Sequence, residues 1–118
     1  MKKSFNDAEL ALWLNEATSF ELDSQPFGIV KMNHQAEVIY YSNTQSDITG
    51  VSPTHAKGKN FFVQIAPCTN NFMVAEKYKK PLLDETMPYM FTYVTKPTPV
   101  TLRLIKTNNW QFLLTLKA

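Results

Sequence analysis

Five stretches of this chain are rich in β-branched and aromatic residues, and their order narrows the fold more than any other feature. "FGIVKM" (27–32) and "EVIYYS" (37–42) are separated only by the turn "NHQA" and read as a hairpin. "YMFTYVT" (89–95), "PVTLRLI" (99–105) and "WQFLLTL" (110–116) close the chain, the last two meeting at Asn108-Asn109, residues that tolerate a left-handed turn. Connections this short join antiparallel neighbours, because a parallel pair needs a long crossover. Between the two sets the character changes: "NTQSDITG" is polar and ends in Gly50, Ser52-Pro53 offers an N-cap with proline at the first helical position, and Gly58 stops that turn. Asn70 or Asn71 caps a longer amphipathic helix through Lys80, ended by Pro81, which lacks the N–H donor. At the front, Asn6 or Asp7 caps a helix over about residues 8–17, with Leu10, Trp13 and Leu14 at helical spacing. Strands and helices segregated in this way predict an α+β domain. A five-stranded antiparallel sheet carries the short helices on one face and the N-terminal helix with Trp13 on the other.

Composition agrees with one compact unit. The chain has 118 residues, of which 44% are hydrophobic and 13% aromatic, enough for a single core. Twelve basic residues against ten acidic ones leave a formal charge of +2. The short cluster Lys77, Lys79 and Lys80 reads as a solvated helix face rather than a nucleic-acid footprint, which needs a basic stripe. A single cysteine makes no internal disulfide and has no CxxC companion for zinc. Asp7 and Glu9 interrupt any signal-peptide core, and no apolar run approaches a membrane span. The expected location is the cytoplasm, with no nucleic acid, membrane or metal partner.

Cys68, in "IAPCTNN", is the residue with the most chemistry. It reads as a small buried hydrophobe, or as a reactive thiol set ahead of a helix cap whose N–H groups and dipole favour a thiolate. A Cys–His enzyme needs an imidazole within reach, and His34 in a turn and His55 in a short helix offer none with a third member. Three scattered glycines exclude a phosphate-cradling loop. Asp47, Asp84 and Glu85 lack an evident partner and read as capping or solvated groups. Tyr40 and Tyr41 are adjacent in a strand, so they point to opposite faces, and the inward hydroxyl needs a partner. Gln45 and Thr49 bring further polar groups to the same region, where the three either satisfy one another or converge on a ligand.

"PFGIV", then "YYSNTQSDITGVSP", "GKNFF" and "IAPCT", at these intervals, resemble the photoactive yellow protein family, blue-light receptors of the PAS-fold class. The likeness is dense from Phe27 to Thr69 and weaker through "KYKK" and "MFTY". It implies an N-terminal helical cap over 1–26 and a PAS domain over 27–118. It implies that Cys68 carries p-coumaric acid (4-hydroxycinnamic acid) as a thioester, with its backbone N–H bonding the thioester carbonyl. Tyr41 then donates to the chromophore phenolate, Thr49 supports Tyr41, and Val30, Ile65, Ala66 and Thr69 surround the pocket.

Three departures from the family accompany the likeness. Gln45 stands where the family has a glutamic acid, and its amide donates a hydrogen bond but surrenders no proton. Val51 replaces an arginine over the phenol end, so that lid is apolar. The connection between "FTYVT" and "PTPVTL" is about three residues shorter. The resemblance implies a non-enzymatic photoreceptor, monomeric or a weak homodimer, signalling to a downstream protein. The alternative is a PAS-type sensory or interaction module with another small ligand or none.

Overall fold

The computed structural model describes residues 2–92 and 96–118. Its elements are α1 (Leu10–Glu16), α2 (Ser19–Asp23), β1 (Gly28–Met32), β2 (Val38–Tyr41), α3 (Asn43–Thr49), α4 (Pro53–Ala56), β3 (Leu83–Phe91), β4 (Thr98–Lys106) and β5 (Gln111–Lys117). Three short helical turns, Phe61–Ile65, Pro67–Thr69 and Ala75–Lys79, lie between α4 and β3. The strands form one antiparallel sheet in the order β2-β1-β5-β4-β3, so the N-terminal hairpin docks its first strand against the last strand of the chain.

Period-two alternation sorts side chains between two cores, one on each face. Val30, Met32, Tyr41, Val100, Leu102, Leu104 and Leu113 join Phe61, Phe62, Ile65, Ala66, Val74 and Tyr78 of the central segment. Ile29, Ile105, Phe112 and Leu114 meet Phe5, Leu10, Leu14 and Leu22 of the N-terminal segment. The expected α+β fold, with the sheet covered on both faces, is therefore the observed one. Trp13 sits at the margin of the second core, with the Lys3 ammonium 5.5 Å from its ring.

Local expectations fared unevenly. The Ser52 cap with Pro53 inside α4 is present, and Gly50 ends α3 at φ +80°, a conformation that favours glycine. The long helix from Asn70 to Lys80 is not: only the Ala75–Lys79 turn forms. Its bonds run back three residues, Lys77 N to Val74 O at 3.1 Å and Lys80 N to Lys77 O at 3.2 Å, and the extended residue ahead of Pro81 ends it. Strand β3 begins at Leu83, six residues before the expected run, and passes through Pro88. Proline is tolerated because β3 is an edge strand paired only with β4. The expected continuation to Thr95 runs into residues 93–95, outside the described ones, as does part of the connection expected to be shortened. Helix α2 was not expected, although Thr18 and Glu21 spell a capping box, with Glu21 N to Thr18 Oγ1 at 3.2 Å and Thr18 N to Glu21 Oε1 at 2.9 Å.

Asp84 and Glu85, expected to be unpartnered, are both paired. Arg103 of β4 holds Asp84 in two bonds of 2.8 Å, Nε to Oδ1 and Nη2 to Oδ2. Its Nη1 donates to the carbonyls of Phe5 at 2.9 Å and Asp7 at 2.7 Å, which fastens the N-terminal segment to the sheet. Lys77 and Lys80 converge on Glu85 at 3.0 and 2.6 Å, and together they hold its carboxyl below the usual range. Lys79 pairs with Glu76 at 2.8 Å, so the lysine cluster is balanced by its neighbours.

Candidate functional site

Helix α3 leaves β2 through Ser42, a fully buried hinge. Its Oγ accepts from Gln45 N at 3.2 Å, capping α3, and from Ile29 N at 2.9 Å, which ties the helix start to β1. The close approach of α3 to β1 depends on Gly28. A Cβ there would meet Gln45 Cα at 2.9 Å and collide with the Gln45 side-chain oxygen. Gln45 therefore lies over a bare stretch of strand, fully buried.

Tyr41 is the inward member of the tyrosine pair, 1% exposed in the central-segment core. Tyr40 faces the other core, where burial first and a hydrogen bond with Asp23 second push its pKa upward. The Tyr41 hydroxyl lies 2.7 Å from Thr49 Oγ1. Thr49 in turn donates to Gln45 O at 3.1 Å and accepts from Val51 N at 3.2 Å. The inward tyrosine thus meets a side-chain hydroxyl. A threonine has one proton and two lone pairs, so Thr49 either accepts from Tyr41 while donating to Gln45 O, or turns its proton toward Tyr41.

Cys68 occupies the one-turn segment Pro67–Thr69. Thr69 stiffens that turn: its N–H and its hydroxyl both donate to Ala66 O, at 2.9 and 2.7 Å. The partly buried Cys68 packs against the same core as Tyr41, Val30, Ile65 and Ala66, and so does Val51. The fully buried Thr69 completes this wall. All nine expected site residues are therefore in or against the core on one face of the sheet. The helix dipole expected to act on the thiol is a correction: without the long helix after Asn70, no array of aligned peptides points at Cys68.

Sequence reasoning passed over three residues here. Tyr89 and Asn71 both donate to the Cys68 carbonyl, at 2.6 and 3.0 Å. Their signal was the strand periodicity of β3 and an asparagine three residues after the cysteine, neither distinctive in one sequence. Thr115, cross-strand partner of Gly28, is fully buried, and its Oγ1 has no hydrogen-bond partner among the described residues. His34 and His55 are both exposed, and no cluster of His, Cys, Asp or Glu that could hold a metal occurs among the described residues.

The photoactive yellow protein of Halochromatium salexigens is 31% identical to this chain over 90 residues, 73% of this chain and 72% of that protein. The chain belongs to the photoactive yellow protein family. The photoactive yellow protein of Rhodothalassium salexigens is 30% identical over 84 residues, 68% of this chain and 67% of the relative. No family model matches the chain. The solved photoactive yellow protein domain from the sensor histidine kinase Ppr of Rhodospirillum centenum superposes with a TM-score of 0.82, covering 91% of this chain and 99% of that one. Its sequence identity is 22%, so this likeness speaks for the fold. With the sheet order above, the chain is a PAS-type sensory module of that family. No helix among its described residues is long and apolar enough to cross a membrane.

Proposed function

We propose that the chain is a blue-light photoreceptor that carries p-coumaric acid as a thioester on Cys68 and signals by conformational change. One observation carries this reading: the thiol and the Tyr41–Thr49–Gln45 group pack onto the same apolar core, so one molecule entering that core meets a nucleophile and a cluster of hydrogen-bonding groups. The donor set suits a p-hydroxycinnamoyl group. A phenolate in apolar surroundings is expensive unless hydrogen bonds stabilise its charged form. Thr49 can turn its proton to Tyr41, which releases the Tyr41 proton toward a third acceptor, and the Gln45 amide adds a donor that never ionises. Val51, Val30, Ile65 and Ala66 keep water from the ring, while Thr69 holds the Cys68 turn in shape.

Attachment needs an activated acyl donor, an anhydride or a thioester of p-coumaric acid. The Cys68 thiolate attacks its carbonyl carbon, the new C–S bond forms as the bond to the leaving carboxylate or thiolate breaks, and the thiol proton goes to solvent. When bound, the group supplies blue-light absorption and a double bond that isomerises. Gln45 then stays neutral, so any proton reaching the phenol end comes from water or another group. The division into a cap over 1–26 and a PAS domain over 27–118 belongs to the same proposal, supported by the separate core that the N-terminal helices form. So do a cytoplasmic setting, a downstream protein partner and a binding rather than enzymatic role.

A second reading has its own support. The Tyr41 and Thr49 hydroxyls already satisfy each other, as they would in a PAS-type interaction module with no chromophore or another ligand. Reconstitution separates the two. The purified chain mixed with p-coumaric anhydride gains one coumaroyl mass on Cys68 and a visible absorption band, and Cys68→Ala loses both. An acylated thiol whose band stays where a neutral phenol absorbs removes the phenolate site from the proposal. In the pigmented chain, Gln45→Glu shifts the band and changes light-induced proton uptake, because burial favours the protonated acid and gives the site a proton to lose.

A further inference from the structure

The Cys68 carbonyl is held more firmly than a cysteine in a loop needs. Tyr89 Oη donates to it at 2.6 Å and Asn71 Nδ2 at 3.0 Å, which uses both lone pairs of the oxygen. Asn71 Nδ2 also lies 2.8 Å from Tyr89 Oη, so the three atoms form a closed triangle in which the amide N–H is shared between the two oxygens. The other end of the Asn71 amide is fixed as well, since Oδ1 accepts from Met73 N at 3.0 Å and Val74 N at 3.1 Å. Tyr89 is anchored from behind by its place in β3 and by an edge-on contact with the fully buried Phe91, ring centroids 6.4 Å apart.

A peptide unit is planar, so a carbonyl clamped from outside fixes the plane of the Cys68–Thr69 peptide and, with it, the opposite N–H. That N–H donates to Ala66 O at 2.9 Å, which closes the turn. With both edges of the peptide held, the backbone at Cys68 loses its main freedom and its side chain is directed at the core. We propose that Tyr89 and Asn71 are positioning residues for Cys68, a clasp between the cysteine turn and strand β3 that aims the thiol into the core. The clasp rests on the reading of Cys68 as the acylated residue for its purpose. As a restraint on the thiol it stands without any chromophore.

The test uses the unpigmented full chain and two conservative variants. Tyr89→Phe keeps the ring on Phe91 and removes the donor, while Asn71→Asp keeps an oxygen for Met73 and Val74 and removes the Nδ2 protons. Thiol exposure is read with the aromatic disulfide dithiobis(nitrobenzoate): the Cys68 thiolate attacks one sulfur, a mixed disulfide forms, and one thionitrobenzoate is released and measured. Each variant labels about fivefold faster than the parent, what one hydrogen bond of ordinary net strength is worth. The double variant labels less than about twenty-five-fold faster, because both donors serve one oxygen. The acceleration is insensitive to low urea, as local opening requires, whereas labelling through global unfolding rises with it. Unchanged labelling in both variants overturns the clasp, as does acceleration that follows urea. In parallel, coumaroyl mass gain is measured on the parent: its failure removes the photoreceptor reading and leaves the labelling result to stand or fall alone.

Discussion

The two faces of the sheet are cut from the same alternating strands and differ in what they bury. Between the sheet and the N-terminal segment pack Phe5, Leu10, Leu14, Leu22, Phe27, Ile29 and Phe112, and the buried Arg103 has its guanidinium bonded to Asp84 and to two carbonyls. The central-segment face also buries Tyr41, Gln45, Thr49 and Thr69 among aliphatic and phenyl groups, and the Thr115 hydroxyl there is without a bond among the described residues. Apolar packing on the first face fixes one arrangement. Hydroxyls and an amide at close quarters in a low dielectric make the second a place where a charge can be accommodated, since each reorients for little. One face reads as scaffold and the other as site.

The largest effect expected from breaking this contrast falls on the scaffold face. Arg103→Met keeps the buried stem but strips Asp84 and the Phe5 and Asp7 carbonyls of their donors. The two carbonyls left without a donor cost about 3 kcal/mol together, while Asp84, exposed to water, adds little. Urea unfolding reads that loss, and coumaroyl attachment to the folded fraction stays as in the parent. A loss below about 1 kcal/mol would mean that something else secures the N-terminal segment.

A smaller cost, about 2 kcal/mol, is expected where the two layers of the site face touch. Gly28→Ala drives a methyl group into Gln45, and α3 must lift from β1 or Gln45 must leave its place. Urea unfolding measures the cost, and in pigmented protein the visible band moves with Gln45. An unshifted band with lowered stability would place Gln45 out of contact with the ring.

Legibility differed between the faces for physical reasons. Strand alternation is a local, repetitive signal, so the hairpin, the β4–β5 pair and the opposed facing of Tyr40 and Tyr41 were readable from residue order, while the choice of Tyr41 as the inward one came from the family resemblance. The partners of Arg103 were not, because Phe5 lies 98 residues and Asp84 19 residues before it, and only the fold brings both to its guanidinium. Helix length after Asn70 misled because amphipathic spacing at Val74 and Tyr78 was real, yet Asn71 commits its side chain to the turn and to Cys68, and Pro81 leaves no room for a second α-helical turn. Pro88 hid the first half of β3 because sequence does not say which strand is an edge. The polar cluster Tyr41–Gln45–Thr49 was visible as a set. Tyr89 was not, since its meaning depends on a carbonyl that the fold carries to it.

The contrast also has an alkaline signature of intermediate size. Tyr78, on the site face, is fully buried with its hydroxyl donating to Phe112 O at 2.6 Å, and burial raises its pKa well above the ordinary tyrosine value. Tyr40, on the scaffold face, is raised by burial and by Asp23. A tyrosine with a raised folded pKa contributes stability that is complete below the unfolded pKa near 10 and is lost as pH climbs toward the folded value. A fully buried group such as Tyr78 lowers the unfolding free energy by about 1.4 kcal/mol per pH unit in that window, whereas the solvent-screened Tyr40 adds less. Tyr78→Phe removes the larger share of the slope. An unchanged slope would assign the alkaline loss to other groups.

The smallest expected effect probes the site face most directly. Thr49→Val has almost the same shape but removes the one oxygen that touches the Tyr41 hydroxyl, the Gln45 carbonyl and the Val51 N–H. In unpigmented protein the loss is about 1 kcal/mol, the ordinary net worth of such bonds. If the hydroxyls of the site exist to satisfy one another, that is the whole consequence, and the variant binds p-coumaroyl as the parent does. If Thr49 exists to supply Tyr41 with a proton when Tyr41 gives its own to a phenolate, the variant cannot complete that exchange. The phenolate is then held less well, and a pH titration of the visible band in pigmented protein finds its apparent pKa raised by about one unit, the shift that corresponds to one hydrogen bond of about 1.4 kcal/mol. The same substitution therefore separates a self-satisfied core from a binding site, because the first reading predicts no movement of that titration and the second predicts it upward.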